Sequence, residues 1–179
     1  NVFHANGGSA SFSVMANTLR GVYGTDVLLA TANSFTGSVL QADYNKKMAA
    51  SMIMPNGLMS RQRTMTGAEL KETVRAFVEG CEGGFVPFNR GSLPVVSGIA
   101  VEVKEAGGSY TLTGITRNGQ PLRDDDTVTV TCLAAEKQME ALLASESGTS
   151  LDGDTWVKNR WRDYLSGGGA ALAEPENYM

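Results

Sequence analysis

Between Met65 and Val103 the spacing of apolar positions changes once, from helical to extended. Leu70, Val74, Phe77 and Val78 recur at the 3.6-residue period, with Lys71, Glu72, Arg75 and Glu79 on the opposite face. Thr66 precedes this run and Glu69 stands three residues on. That is the capping-box spacing, in which each side chain satisfies an orphan backbone N–H of the other residue. Further on, Val95, Ser97, Ile99, Val101 and Val103 alternate with Val96, Gly98, Ala100 and Glu102, which predicts a strand over 95–104.

The same reading extends to the rest of the chain. Phe12, Met15, Ala16 and Leu19 make the apolar stripe of a helix from about 10 to 22, ended by Gly21 and Gly24. The short apolar run over 26–32 reads as a buried strand. A short helix follows over 41–51, capped by Asp43, with Tyr44, Met48 and Ala49 inward, and Pro55-Asn56-Gly57 is a turn by its own chemistry. Strands are predicted over 59–65, 109–116 and 126–132. The turns between the later strands lie at Ala106–Ser109 and Arg117–Leu122. Residues 80–92 form a Gly-rich loop. Helices are predicted over 136–144 and, capped by Asp154, over 155–165, where Trp156, Trp161, Tyr164 and Leu165 turn partly inward. By periodicity the fold class is α/β (α+β). Residues 1–179 form a single domain, with a lead-in over 1–8 and a tail over 166–179.

Composition narrows the function. The chain has 179 residues, 19% charged and 42% hydrophobic, which suits one folded domain with a full core. A net charge of -4, with no basic cluster beyond Arg61–Arg63 and Lys158–Arg162, argues against nucleic-acid binding. No apolar run approaches the roughly 18 residues that a membrane helix needs. Cys81 and Cys132 are either a bridge or two unpaired thiols, and spacing does not decide between them. With one histidine, His4, they make no zinc site. Asp124-Asp125-Asp126 reads as a solvated turn, because three consecutive carboxylates point in different directions. Asn1 is not an initiator Met and no signal peptide is present, so the chain is expected to be a piece of a longer protein.

Met65-Thr66-Gly67-Ala68-Glu69-Leu70-Lys71 at a helix start, then a loop, then Val96-Ser97-Gly98-Ile99 in a strand, resembles the C-terminal domain of the 5′-nucleotidase / UDP-sugar hydrolase / 2′,3′-cyclic phosphodiesterase family. Asn118-Gly119-Gln120-Pro121-Leu122 before the last strand, and Arg162-Asp163-Tyr164-Leu165 before a tail with Glu174-Pro175-Glu176, extend the resemblance over about residues 9–178. It implies a mixed β-sheet with flanking helices, in a fragment of a secreted or cell-surface bacterial phosphoesterase. In that family a pair of divalent metal ions in an N-terminal domain polarises the phosphate and supplies a hydroxide, which needs a cluster of His, Asp and Asn ligands. This chain has one His and neither Asp-x-His nor Gly-Asn-His. No cofactor is therefore assigned to it, and the metal pair is expected in a missing N-terminal metallophosphoesterase domain.

The resemblance gives this domain the recognition of a nucleotide or nucleotide-like small molecule, by stacking the base between aromatic rings and holding it with Asn and Arg. Stacking suits that task because every base offers a π-face. The motifs that carry the clamp are degenerate here. The signature Arg falls on Thr36, one ring falls on Asn56, and the segment bearing the second ring falls on Thr131–Glu140, without its glycines or aromatic residue. Six residues are candidate substitutes. Asn33 and Phe35 follow the first strand, at the carboxyl end where α/β ligands bind; Phe35 is a stacking platform or a core residue. Asn56 is a ligand-bonding amide or a turn residue at positive φ. Phe85, Phe88 and Arg90 are an aromatic-plus-Arg loop that closes over a ring, or a surface loop with its rings packed down. The alternative function is a non-catalytic structural or partner-binding module that kept the fold and lost the clamp. A stand-alone enzyme would need a nucleophile and base, and the only His lies in the lead-in.

Overall fold

The computed structural model describes residues 9–31, 58–79, 94–107, 109–135 and 157–166. The elements, in chain order, are α1 (Ser9–Tyr23), β1 (Val27–Thr31), β2 (Leu58–Thr66), α2 (Gly67–Glu79), β3 (Pro94–Ser97), β4 (Ala100–Ala106), β5 (Ser109–Arg117), β6 (Gln120–Pro121), β7 (Thr127–Ala135) and α3 (Val157–Ser166). A four-stranded sheet has the order β2-β7-β1-β3, and a three-stranded sheet has the order β4-β5-β6. In the larger sheet β1 and β7 are parallel, while β2 and β3 pair antiparallel to them, so the sheet is mixed. The predicted helices over 41–51 and 136–144 and the loop over 80–92 lie outside the described residues.

Strand alternation puts the two faces of the larger sheet into two cores. Val27 and Leu29 of β1 and Val128, Val130 and Cys132 of β7 face α2 and the smaller sheet. They pack there with Leu70, Val74, Val78, Tyr110, Ile115 and Leu122. Leu28, Ala30 and Leu133 face the other way, against Met15, Ala16 and Leu19 of α1 and Val157 and Trp161 of α3. β1 is thus apolar on both faces over Val27–Ala30, as a buried strand requires, whereas β7 turns Thr129 and Thr131 to its second face beside Leu133.

The Thr66–Lys71 motif is explained letter by letter. Thr66 N–H donates to Glu69 Oε2 at 2.8 Å, and Glu69 N–H donates to Thr66 Oγ1 at 3.2 Å, which is the capping box. The first of these bonds, aided by the Thr66 hydroxyl and Arg63, holds the Glu69 carboxyl below its ordinary range against a small desolvation cost. A Cβ at Gly67 would lie 1.9 Å from the carbonyl oxygen of Arg123, so only glycine allows the approach. That approach lets Gly67 N–H donate to Asp126 O at 2.7 Å and Ala68 N–H to Asp124 O at 3.2 Å, while Lys71 Nζ reaches Asp124 Oδ1 at 2.6 Å. The Leu122–Asp126 turn is therefore seated on the start of α2. Its acidic run serves the turn: Asp126 accepts from Arg123 N–H at 2.9 Å and Arg123 Nε at 3.1 Å.

Two sequence expectations change. The strand expected over 95–104 is two strands in two sheets, broken at Gly98-Ile99. Gly98 has φ +87°, and a Cβ there would lie 2.1 Å from Asp26 O, so the chain turns where it presses on the entry to β1. Gly21 does not end α1; the helix runs through it to Tyr23, and Gly24, at φ +65°, terminates it. Gly24 N–H donates to Gly21 O and Thr25 N–H to Arg20 O, which closes the helix end. Asn118-Gly119 has positive φ at both residues, the two-residue hairpin turn between β5 and β6.

Candidate functional site

The larger sheet has two ends with different character. β1 leaves it at Thr31 and β7 at Ala135, and Leu58 of β2 and Pro94 of β3 enter it there, since Leu58 pairs with Ala135 and Pro94 with Thr31. Parallel pairing of β1 and β7 puts Thr31 and Ala135 at the same end. The three connections that span 32–57, 80–93 and 136–156 are thus all joined to this one end. All six sequence-selected residues fall in the first two. Asn33, Phe35, Asn56, Phe85, Phe88 and Arg90 lie outside the described residues, so the structure places none of them. What it does place is Thr31 and Ala135, the carboxyl ends of the two parallel strands, at one end of the sheet.

The opposite end carries the polar chemistry of the described residues. Asp26, between α1 and β1, is its centre. Its Oδ2 accepts from Thr129 N–H at 2.8 Å and from the Thr129 hydroxyl at 2.8 Å, and its Oδ1 accepts from Arg117 Nη2 at 2.5 Å. Partial burial by itself would push the Asp26 carboxyl up. The Thr129 donors, Arg117 and Arg20 outweigh that and hold it below the ordinary carboxylate range. Arg20, at the end of α1, donates from Nε to Ser97 Oγ at 2.8 Å, and the buried Ser97 hydroxyl donates to Asn17 Oδ1. A polar ladder continues along the α1 face, with Thr25 and Thr131 hydroxyls 2.9 Å apart and Gln62 Nε2 donating to Tyr23 O at 3.0 Å. The guanidinium of Arg160 lies over the Tyr23 ring, 5.7 Å from its centroid.

Nothing local in the sequence marks this cluster directly. Asp26 reads as the first residue of a buried strand and Arg117 as the start of a turn. The signal available is a carboxylate directly flanking a fully apolar run, and a Ser-Gly pair interrupting a run of β-branched residues. Cys132 is an unpaired thiol, and burial pushes it up to about 12 although Arg63 acts the other way; Cys81 lies outside the described residues. Among the described residues no group of three or more His, Cys, Asp or Glu could hold a metal ion, and no helix is long and apolar enough to cross a membrane.

The fold is similar to several solved structures. A 5′-nucleotidase precursor from Thermus thermophilus matches with a TM-score of 0.62 at 16% identity, over 89% of this chain and 32% of that one. The NAD nucleotidase of Haemophilus influenzae matches with a TM-score of 0.63 at 15% identity, over 89% and 30% respectively. The sulfate thiohydrolase SoxB of Thermus thermophilus matches with a TM-score of 0.54 at 12% identity, over 92% and 33%. At such identities the likeness is one of fold, and this chain spans about a third of the length of each of these structures. No family model and no curated protein matches the sequence.

Proposed function

We propose that this chain is the C-terminal, substrate-recognition domain of a secreted or cell-surface bacterial metallophosphoesterase of the 5′-nucleotidase kind, acting on nucleotides or related phosphoesters. The observation that carries the reading is a fold shared over about nine-tenths of the chain with two nucleotidases, of which it makes up only a third. The donor set agrees with a division of labour. One histidine in 179 residues, without Asp-x-His or Gly-Asn-His, does not fit a dinuclear metal site, so no step of phosphoester hydrolysis is assigned to these residues. The metal pair belongs, on this reading, to a preceding domain.

The task left to this chain is to choose and orient the substrate. Phe35, Phe85 and Phe88 supply aromatic faces for a base, Asn33 and Asn56 supply amides that read its edge, and Arg90 supplies a cation for stacking or for phosphate. Stacking contributes about 1–3 kcal/mol per base. In the longer protein, Phe35→Ala, Phe85→Ala or Phe88→Ala at the stacking position should therefore lower kcat/KM for nucleotides about tenfold or more. Hydrolysis of a phosphomonoester without a base should change little. Metal-dependent phosphate release measured on both substrates tests this. If all three variants lower the two equally, or neither, the chain does not read the base. The non-catalytic module, favoured by the substitution of the clamp motifs, then takes its place.

A further inference from the structure

The cleft beside Asp26 is not used by that reading. It has a volume of about 350 Å³ and lies where the end of α1, the β3–β4 crossover and the β5–β6 hairpin meet. That size falls within the range of small-molecule sites. Two guanidinium groups, Arg20 and Arg117, and one carboxylate, Asp26, line it, so it carries a surplus positive charge. Both arginines are held by partners that are themselves held. Arg20 is fixed by Ser97, which is bonded to Asn17; Arg117 is fixed by Asp26, which is bonded to Thr129. Side chains fixed in this way lose little further entropy when a ligand arrives.

Both oxygens of the Asp26 carboxylate already accept from donors of the chain, Oδ1 from Arg117 and Oδ2 from Thr129. A guanidinium carries five N–H donors, and the described bond of Arg117 to Asp26 uses one of them. Arg117 also acts on Asp126, whose carboxylate accepts two bonds from Arg123. The rest of the lining carries no charge. Gly98 and Gly119 present no side chain, and Asn118 and Gly119 turn at positive φ. Fixed guanidinium donors in a cleft with two glycines in its lining make a receptor for an oxyanion.

We propose that this cleft binds a small molecule through a phosphate or carboxylate oxyanion, with Arg117 and Arg20 as the charged contacts. It sits at the end of the larger sheet opposite Thr31, Leu58, Pro94 and Ala135. The test is a titration of this chain, followed by amide chemical shifts, with inorganic phosphate and separately with succinate at constant ionic strength. Saturable shifts centred on the amides of Asp26, Gly98, Asn118 and Gly119 are expected from at least one probe. The tighter probe tells a phosphate ester from a carboxylate as the source of the anion. Ala100 lines the cleft and is exposed, so it tolerates a charged side chain. Ala100→Glu should weaken binding on the order of tenfold, and Ala100→Lys should not weaken it. Arg117→Gln should abolish the shifts. The proposal fails if neither probe gives saturable shifts up to about 10 mM, a concentration that fills a millimolar site. It fails equally if Ala100→Glu and Ala100→Lys leave the shifts alike.

Discussion

Gly67 is where the packing can be tested most sharply, because the same substitution has opposite signs at two glycines. Gly21 lies in α1, is exposed, and a Cβ there would meet nothing within 4 Å. Gly21→Ala should therefore stabilise the fold by about 0.5–1 kcal/mol, through helix propensity and a less flexible unfolded chain. Gly67 also starts in a helix, yet its added Cβ would lie 1.9 Å from Arg123 O and 3.3 Å from Leu122 Cγ. A carbonyl on the backbone cannot rotate away as a side chain can, so the Leu122–Asp126 turn must lift. Overpacking costs about 1–3 kcal/mol. The bonds from Gly67 N–H and Ala68 N–H to that turn are worth about 1 kcal/mol each. With the propensity gain set against these, Gly67→Ala should destabilise by about 2–4 kcal/mol. Urea unfolding reads this as a midpoint lower by about 1 M or more at an unchanged m-value, against a slightly higher midpoint for Gly21→Ala. A Gly67→Ala midpoint equal to or above that of the unsubstituted chain would refute the seating of the turn on α2.

Three further outcomes follow from the described contacts. Asp26→Asn should cost about 1–2 kcal/mol at pH 7, a figure reduced for the 35% exposure of the carboxylate. The folded-state carboxyl lies below its unfolded value of about 3.9, so its contribution is present above that pH and is lost as pH falls through the folded value. The gap in Tm between the two proteins should accordingly close on acidification below about pH 4, and a gap that stays constant into strong acid would contradict the ion pair. In a Cys81→Ser background, Cys132 should react with a thiol reagent at about pH 8 only after unfolding, since the buried thiol is pushed up to about 12; rapid labelling of the native protein would refute its burial. Trp161, fully buried between α3 and α1 and stacked at 6.0 Å on Tyr164, should cost about 3–5 kcal/mol as Trp161→Ala in the same urea assay.

Sequence reading succeeds here where the causes are local. The capping box at Thr66 and Glu69 is complete within four residues, and the Asn118-Gly119 hairpin turn within two, so both are legible without a fold. The α/β class follows from the change of period after α2, while the mixed sheet with flanking helices comes from the family resemblance. The break of the strand at Gly98 is not legible, because alternation from Val95 to Val103 is unbroken and the cause is the Asp26 carbonyl, distant in sequence. Asp26 itself stays hidden for the same reason: its partners Arg117 and Thr129 lie 91 and 103 residues away. Gly21 reads as a helix terminator because two glycines stand close together, and only the positive φ of Gly24 identifies which of them ends α1. The six candidate recognition residues rest on residue type and on position after predicted elements. All six lie outside the described residues, so their placement and pairing are matters for experiment.

The most direct test of the recognition role is a thermal-shift series on this chain with nucleosides, nucleotides, cyclic nucleotides and UDP-sugars, without added metal. A ligand bound by the native state alone at about a hundred times its Kd contributes about 2.7 kcal/mol, which raises Tm by about 5–10 °C for a domain of this size. Nucleosides carry no oxyanion, so a response to them is independent of the Arg20–Arg117 cleft. A rise in Tm confined to compounds that share one base or one sugar, nucleosides included, is the predicted result. A cooperative transition at the same temperature with every compound would contradict the assignment of substrate recognition to this chain.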